Sequence, residues 1–217
     1  MFRRVFIVVN VLVNDQWDVY ARSLGVLGKN VEILPITSGL GDGHAVLQAL
    51  TQTEHIRDGS TSDIVVCWGD VFIQHAEIVD ELLSKSLNGL AGLIPAVQEQ
   101  NPYVSLLVNP AMHCMAADFS KYGENHPTGF HDQSIFRFKR HILHAALEAL
   151  HLCFWKNGRY ITPGGELSLL HTFHYLYNTN DPLSVYTTDY PTRSFNTPSE
   201  VADIQKEISI SWSHRQS

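Results

Sequence analysis

Three apolar, β-branched runs, each followed by a stretch with helical spacing, constrain this chain more than any other feature. "RVFIVVN" (4–10) precedes Asp15 to Leu24, where Trp17, Tyr20, Ala21 and Leu24 share one side. "VEILPI" (31–36) precedes a run from His44 to Thr53, and "DIVVCWGD" (63–70) precedes one from His75 to Ser86. Apolar runs without polar alternation are strands buried on both faces. Strands and helices alternating in this order build a parallel sheet with helices packed on it. Asn10 and Asn14 interrupt the first apolar run and no small-x-small cleavage site follows, so it reads as a strand and not as a signal peptide. No run approaches the ~18 apolar residues of a membrane span.

After residue 90 the pattern changes. "LAGLIPAVQ", "YVSLLVN", "MHCMA" and "QSIFRF" read as strands on short turns. A helix follows from Lys139 to His151, then a loop "KNGRYITPGGE", a helix near Glu166–Tyr177 and a strand "PLSVYTTD" (182–189). The last helix carries strong start signals: Thr197 as cap, Pro198 at the first helical position and Glu200 to close a capping box. No linker divides the chain. The expectation is one α/β domain over residues 1–217, three-layer α/β/α with a mostly parallel mixed sheet, in halves of 1–89 and 90–217.

Composition narrows the function. With 217 residues, 44% hydrophobic and 17% charged, the chain can bury a core and is not disordered. A formal charge of -7 argues against nucleic acid as partner, since binders of that kind carry a basic stripe. It does not exclude a small phosphate ligand, which backbone N–H groups and a metal can neutralise. Cys67, Cys114 and Cys153 are odd in number and widely spaced, which points to a reduced, cytoplasmic compartment. Two of the histidine pairs, His141 with His144 and His171 with His174, stand three apart. They lack the third and fourth ligands that zinc requires.

The segment "GLGDGHAVLQAL" (39–50) places three glycines in five residues directly before a helix. His44 occupies the third glycine of a dinucleotide fingerprint, and the G-K-[ST] of a Walker loop is absent. Two alternatives stay open: a loop laying its backbone on a flat base or a phosphate, and a plain turn. His44, at the helix start, is placed to shape such a base site. Gly69 and Asp70 end a buried strand, where ligands gather in α/β sheets. Asp70 is either an Mg²⁺ ligand or a helix cap.

Taken together, the motifs resemble the sugar nucleotidyltransferases, which have the nucleotide-diphospho-sugar transferase fold. The similarity is greatest to the N-acetylglucosamine-1-phosphate uridylyltransferase domain. "LGDGHAVLQAL" resembles that family's L-G-T-G-H-A segment, and "DIVVCWGDVFI" its strand ending in G-D-x-P-L. "GFHDQSIFRF" resembles a later strand, and "SFNTPSEVADI" its V-N-T-P-E-D-L ending; the likeness runs over residues 4–208. It implies transfer of a nucleotidyl group from a nucleoside triphosphate to a sugar-1-phosphate or similar phosphorylated acceptor, with Mg²⁺ as cofactor. Gly41, Asp42, Gly43, His44 and Gly69 would then hold the nucleotide. Asp70 would be the catalytic metal ligand and Asn196 the second. Gly129, Asp132, Glu166 and Arg193 would contact the acceptor or its phosphate. Residues 1–89 become the nucleotide half and 90–217 the acceptor half.

The chain departs from the family at two places. Asp42 replaces a threonine. The N-terminal Gly-rich loop L-A-A-G-x-G-T-R-M, which wraps the triphosphate, has no counterpart, and the first strand matches the second strand of relatives. The expectation is a fold that is N-terminally incomplete, with sheet edges that favour self-association. The alternative function is a non-catalytic nucleotide or sugar-nucleotide binder. A related glycosyltransferase would want D-x-D, whereas Asp70 is followed by Val71 and Phe72.

Overall fold

A computed structural model of the chain describes residues 4–10, 30–36, 39–54, 63–195 and 197–215, with side chains through 206. The helix expected at Asp15–Leu24 and the candidate ligand Asn196 lie outside the described residues. In chain order the described elements are β1 (Val5–Asn10), β2 (Val31–Ile36), α1 (Asp42–Gln52), β3 (Asp63–Cys67), β4 (Val71–Phe72), α2 (Glu77–Ser84), β5 (Gly92–Gln100), β6 (Val104–Val108), β7 (His113–Phe119) and β8 (Thr128–Asp132). There follow β9 (Ile135–Lys139), α3 (Arg140–Phe154), β10 (Trp155–Lys156), β11 (Arg159–Tyr160), α4 (His171–Asn178), β12 (Leu183–Thr187), β13 (Arg193–Ser194) and α5 (Pro198–Arg215). They fall into two compact units: Met1–Ser62 with Arg140–Leu176, and Asp63–Lys139 with Tyr177–Ser217. Neither unit follows the 1–89 and 90–217 halves, because α3 packs on α1 and β9 pairs with β3. No helix among the described residues is long and apolar enough to cross a membrane.

In the first unit β1 and β2 pair in parallel, from Val5 opposite Val31 to Asn10 opposite Ile36. α1 buries Gly43, His44, Leu47 and Leu50, a three-and-four spacing that makes one face. α3 buries Leu143, Ala146, Leu147 and Leu150. Arg140 donates to the Leu50 carbonyl (3.1 Å) and to Thr53 Oγ1 (2.9 Å), closing the C-terminal end of α1. The loop expected after α3 is a tight hairpin. Asn157 (φ 52°) and Gly158 (φ 81°) supply the two positive φ values that a two-residue turn between twisted strands needs. α4 begins at His171, later than the Glu166 expected, because residues 166–169 are bonded to the glycine loop instead.

In the second unit seven strands run β12-β7-β6-β8-β5-β9-β3. β12 also pairs with β5, so five of the strands close on themselves. The α/β class holds, but this sheet is mostly antiparallel and not mostly parallel: β12–β5 is its one parallel pairing among the described residues. Three residues join β5 to β6 and four join β6 to β7. A parallel crossover takes a dozen or more, so such short links can only make hairpins. "GFHDQSIFRF" is not one strand but two. Asp132 Oδ1 accepts from the Ser134 N–H (2.8 Å), and Ser134 turns to φ 56° between β8 and β9. Ile78, Leu82, Leu87, Leu93 and Ile135 form a buried cluster under α2. The capping box of α5 is present: the Thr197 N–H donates to Glu200 Oε2 (2.8 Å) and the Glu200 N–H to Thr197 Oγ1 (3.3 Å).

Candidate functional site

The glycine loop is held from outside by residues 166–169. Gly41 has φ 95° and ψ 164°, and a Cβ there would stand 2.4 Å from the Leu167 carbonyl oxygen. At Gly43 a Cβ would stand 2.7 Å from the Ser168 carbonyl carbon. The Leu167 carbonyl accepts from the Gly43 N–H (2.8 Å) and the His44 N–H (3.3 Å), and the Leu167 N–H donates to Leu40 O (2.9 Å). The start of α1, where open N–H groups were expected, thus has two of them satisfied by the chain itself. Asp42 Oδ1 accepts from the N–H groups of Gly43 (2.7 Å) and Leu169 (2.9 Å). Burial holds its carboxyl above the usual range, and those two bonds pull it part of the way back. Close backbone approach is real at Gly41 and Gly43, and the partner it meets is loop 166–169, including Cβ of Glu166. Gly39 (φ 81°) is the open part of the segment, with nothing within 4 Å of where a Cβ would stand.

The His44 ring faces inward. Its Nδ1 lies 2.5 Å from the Tyr160 hydroxyl, and its Nε2 lies 2.6 Å from the Gln48 side-chain nitrogen. The same hydroxyl lies 2.7 Å from His151 Nδ1. Trp155 stacks on His44 at 6.2 Å and stands edge-on to Tyr160 at 5.0 Å. Tyr160 is 2% exposed, and burial pushes its hydroxyl up to about 12, so it keeps its proton. Burial, with His151 adding to it, pulls His44 below the ordinary 6.5. An imidazole depressed on folding stabilises the fold above the unfolded value and loses that contribution as pH falls below about 6.5. Urea titrations from pH 8 to pH 5 should therefore show the gap in stability between wild type and His44→Gln shrinking on the acid side. Parallel curves would remove His44 from the linkage.

Asp70 stands exposed just past the end of β3, in the turn to β4. Its carbonyl accepts from the Phe195 N–H (2.8 Å), and β13 pairs with β4, Arg193 opposite Phe72. The 190–195 segment is pinned a second time by Gln133, whose Oε1 accepts from the Thr192 N–H (2.6 Å). The second unit thus gathers Gly69, Asp70 and Arg193 at one end of its sheet, on the segment that continues into Asn196. Two acceptor-side candidates already have packing work in the same unit. Asp132 is 4% exposed and holds the β8–β9 turn, and Gly129 makes room for the Ser105 hydroxyl of β6.

Sequence reasoning missed the Gln48–His44–Tyr160–His151 chain. The signal for part of it was present: His44 and Gln48 on α1 are four residues apart and so share a helix face. Nothing in the sequence pointed to Tyr160.

No protein-family model and no curated protein matches the chain. Solved structures do. HddC from Yersinia pseudotuberculosis aligns with 95% of this chain and 79% of its own at 13% identity and a TM-score of 0.62; it has also been solved complexed with GMP-PN. A nucleoside-diphosphate-sugar pyrophosphorylase from Vibrio cholerae aligns with 91% of this chain and 78% of its own at 12% identity and a TM-score of 0.65. The inositol-1-phosphate CTP transferase from T. maritima aligns with 91% and 71% at 13% identity and a TM-score of 0.59.

Proposed function

We propose that this chain, which has the fold of the sugar nucleotidyltransferases, transfers a nucleotidyl group from a nucleoside triphosphate to a sugar-1-phosphate or similar phosphorylated acceptor, with Mg²⁺ as cofactor. The observation that carries this beyond the fold is Asp70, an exposed carboxylate past the end of a sheet strand, tied by Phe195 to the segment leading into Asn196. Mg²⁺ takes one or two protein carboxylates and fills its remaining positions with water and substrate phosphates. Asp70 fits that demand, and Asn196 would be the second protein ligand. When bound, the ion supplies charge neutralisation at the phosphate oxygens.

The reaction needs no side-chain nucleophile. An acceptor phosphate oxygen forms a bond to the α-phosphorus, the bond to the leaving pyrophosphate breaks, and its electron pair departs with pyrophosphate. The chain's task is to position the reactants and stabilise charge. Arg193 would contribute a fixed cation toward phosphate. The base would lie on the open, Gly39 side of the glycine loop, since Gly41 and Gly43 are covered by residues 166–169. Asp42 would hold that loop in shape and not read the base directly. Gly69 would let a nucleotide approach the turn backbone, and Glu166 would face the acceptor.

Calorimetric titration with nucleoside triphosphates and nucleoside-diphosphate sugars, with and without Mg²⁺, tests this. Wild type should bind one base class only with Mg²⁺. Asp70→Ala should lose that binding and keep its Tm, because exposed side chains contribute little to stability. Unchanged binding in Asp70→Ala would overturn the metal assignment. Binding without turnover on sugar phosphates would favour a non-catalytic nucleotide binder.

A further inference from the structure

Between α1 and α3, within the first unit, lies a cavity of about 510 Å³ lined by neither Asp70 nor Arg193. Its size is within the ~300–1,000 Å³ range of small-molecule sites. α1 presents His44, Gln48, Thr51 and Gln52 to it, and α3 presents Glu148 and His151. Leu47 and Leu152 supply apolar surface, and Leu152 is 80% exposed. Glu148 is the one formally charged group in the lining. Its neighbour on the helix, His144, is 3.8 Å away, which leaves the carboxylate able to accept from a ligand.

The hydrogen-bond chain behind the cavity adds a second constraint. His151 uses Nδ1 on the Tyr160 hydroxyl, so Nε2, on the far side of the ring, is its free end among the described residues. The polarity of that end is set three groups away, at Gln48. With the Gln48 amide donating to His44 Nε2, His44 Nδ1 donates to Tyr160, Tyr160 donates to His151 Nδ1, and His151 Nε2 carries a proton. Turning the Gln48 amide over reverses every bond, and His151 Nε2 becomes a bare acceptor. A ligand hydroxyl satisfies either polarity, since it both donates and accepts. An unprotonated phosphate oxygen can only accept, and an ammonium can only donate. The Glu148 carboxylate further disfavours an anion. Amide, hydroxyl, carboxylate and imidazole groups beside two leucines match a ring with hydroxyls on its rim and C–H groups on its face.

We propose that the α1–α3 cavity is a second ligand site, separate from the nucleotidyl-transfer chemistry, for an uncharged polyhydroxylated molecule the size of one sugar ring, bound through His151 and Glu148. His44 lines the same cavity and the Tyr160 bridge joins it to His151, so occupancy is read at both rings.

The experiment records long-range ¹H–¹⁵N spectra of the imidazole rings in the full chain, with no nucleotide or Mg²⁺ present. Glucose, mannose and N-acetylglucosamine are the probes; glucose 1-phosphate and spermidine are the charged controls. At least one neutral sugar should move His151 Nε2 saturably and His44 Nδ1 with it. Glu148→Gln, a near-isosteric change at an exposed position, should weaken that binding by about tenfold, as losing a charged hydrogen-bond acceptor does. Tyr160→Phe, which cuts the bridge between the two rings, should leave the His151 shift in place. No His151 shift with any sugar, an unchanged affinity in Glu148→Gln, or a stronger His151 response to either charged control would overturn the proposal. Because nucleotide and metal are absent, none of these outcomes bears on Asp70.

Discussion

Gly41→Ala is expected to destabilise the protein by about 3–5 kcal/mol, the sum of a backbone cost and a steric cost that fall on one residue. At φ 95° and ψ 164° Gly41 occupies a region that is essentially closed to L-residues. The added methyl would also stand 2.4 Å from the Leu167 carbonyl oxygen and 2.9 Å from Glu166 Cβ. The first of these is a backbone atom, held by its own bonds to the Gly43 and His44 N–H groups, so it cannot rotate away as a side-chain tip could. Gly39→Ala is the control. It carries the positive φ but meets nothing within 4 Å, so only the conformational cost of about 1 kcal/mol remains. In thermal melts a chain of this size loses roughly 2–4 °C per kcal/mol, which puts Gly41→Ala down by about 10 °C and Gly39→Ala by only a few. Equal, small shifts in the two variants would mean that loop 166–169 does not press on Gly41.

That contrast bears on how the loop is read for function. Three glycines before a helix announce close backbone approach, and close approach is what the structure contains. The sequence could not say what approaches, because the residues that do so, 166–169, lie over a hundred positions away. Local signals fared better. The strands at 5–10 and 31–36 and the Thr197–Glu200 capping box each depend on neighbours within a few residues, and each is in place. Asn157-Gly158 was equally local and should have been read as a hairpin; the proline and two glycines that follow it hid the signal. Sheet direction was not local. The alternation in the first half implied parallel strands, yet β3 pairs with β9, which comes from the other half of the sequence and runs antiparallel to it. The Asp70 end of the site was legible as a strand end, while its tie to Phe195 is a contact across 125 residues with no signal in the spacing.

Arg137→Met should cost about 3 kcal/mol, because one guanidinium closes a helix that lacks a left-handed C-terminal turn of its own. α2 ends at Ser84 and passes into Lys85 at φ -76° and ψ 143°, an extended conformation and not the left-handed turn that would fold N–H groups back onto the last carbonyls. Arg137 reaches in from β9 instead. Its Nη1 donates to Leu82 O (3.0 Å), Leu83 O (3.0 Å) and Lys85 O (2.7 Å), while Nε and Nη2 hold Asp63. The positive charge also sits at the negative end of the helix dipole. Methionine keeps the length of the stem and leaves all three carbonyls without that donor, at a place where the arginine side chain is only 13% exposed. Lysine should recover little, since a single ammonium cannot serve Asp63 and three carbonyls from one point. Salt separates the two halves of the interaction. The Asp63 pair is partly exposed and should weaken in ~1 M salt, where screening acts over about 3 Å. The carbonyl bonds are not screened in that way, so most of the deficit in Arg137→Met should persist in urea titrations at high salt. Asp63→Asn, which leaves the three carbonyl bonds in place, should cost a small fraction of it. A methionine variant within ~0.5 kcal/mol of wild type, the range of ordinary surface changes, would show that α2 holds its C-terminal end without Arg137.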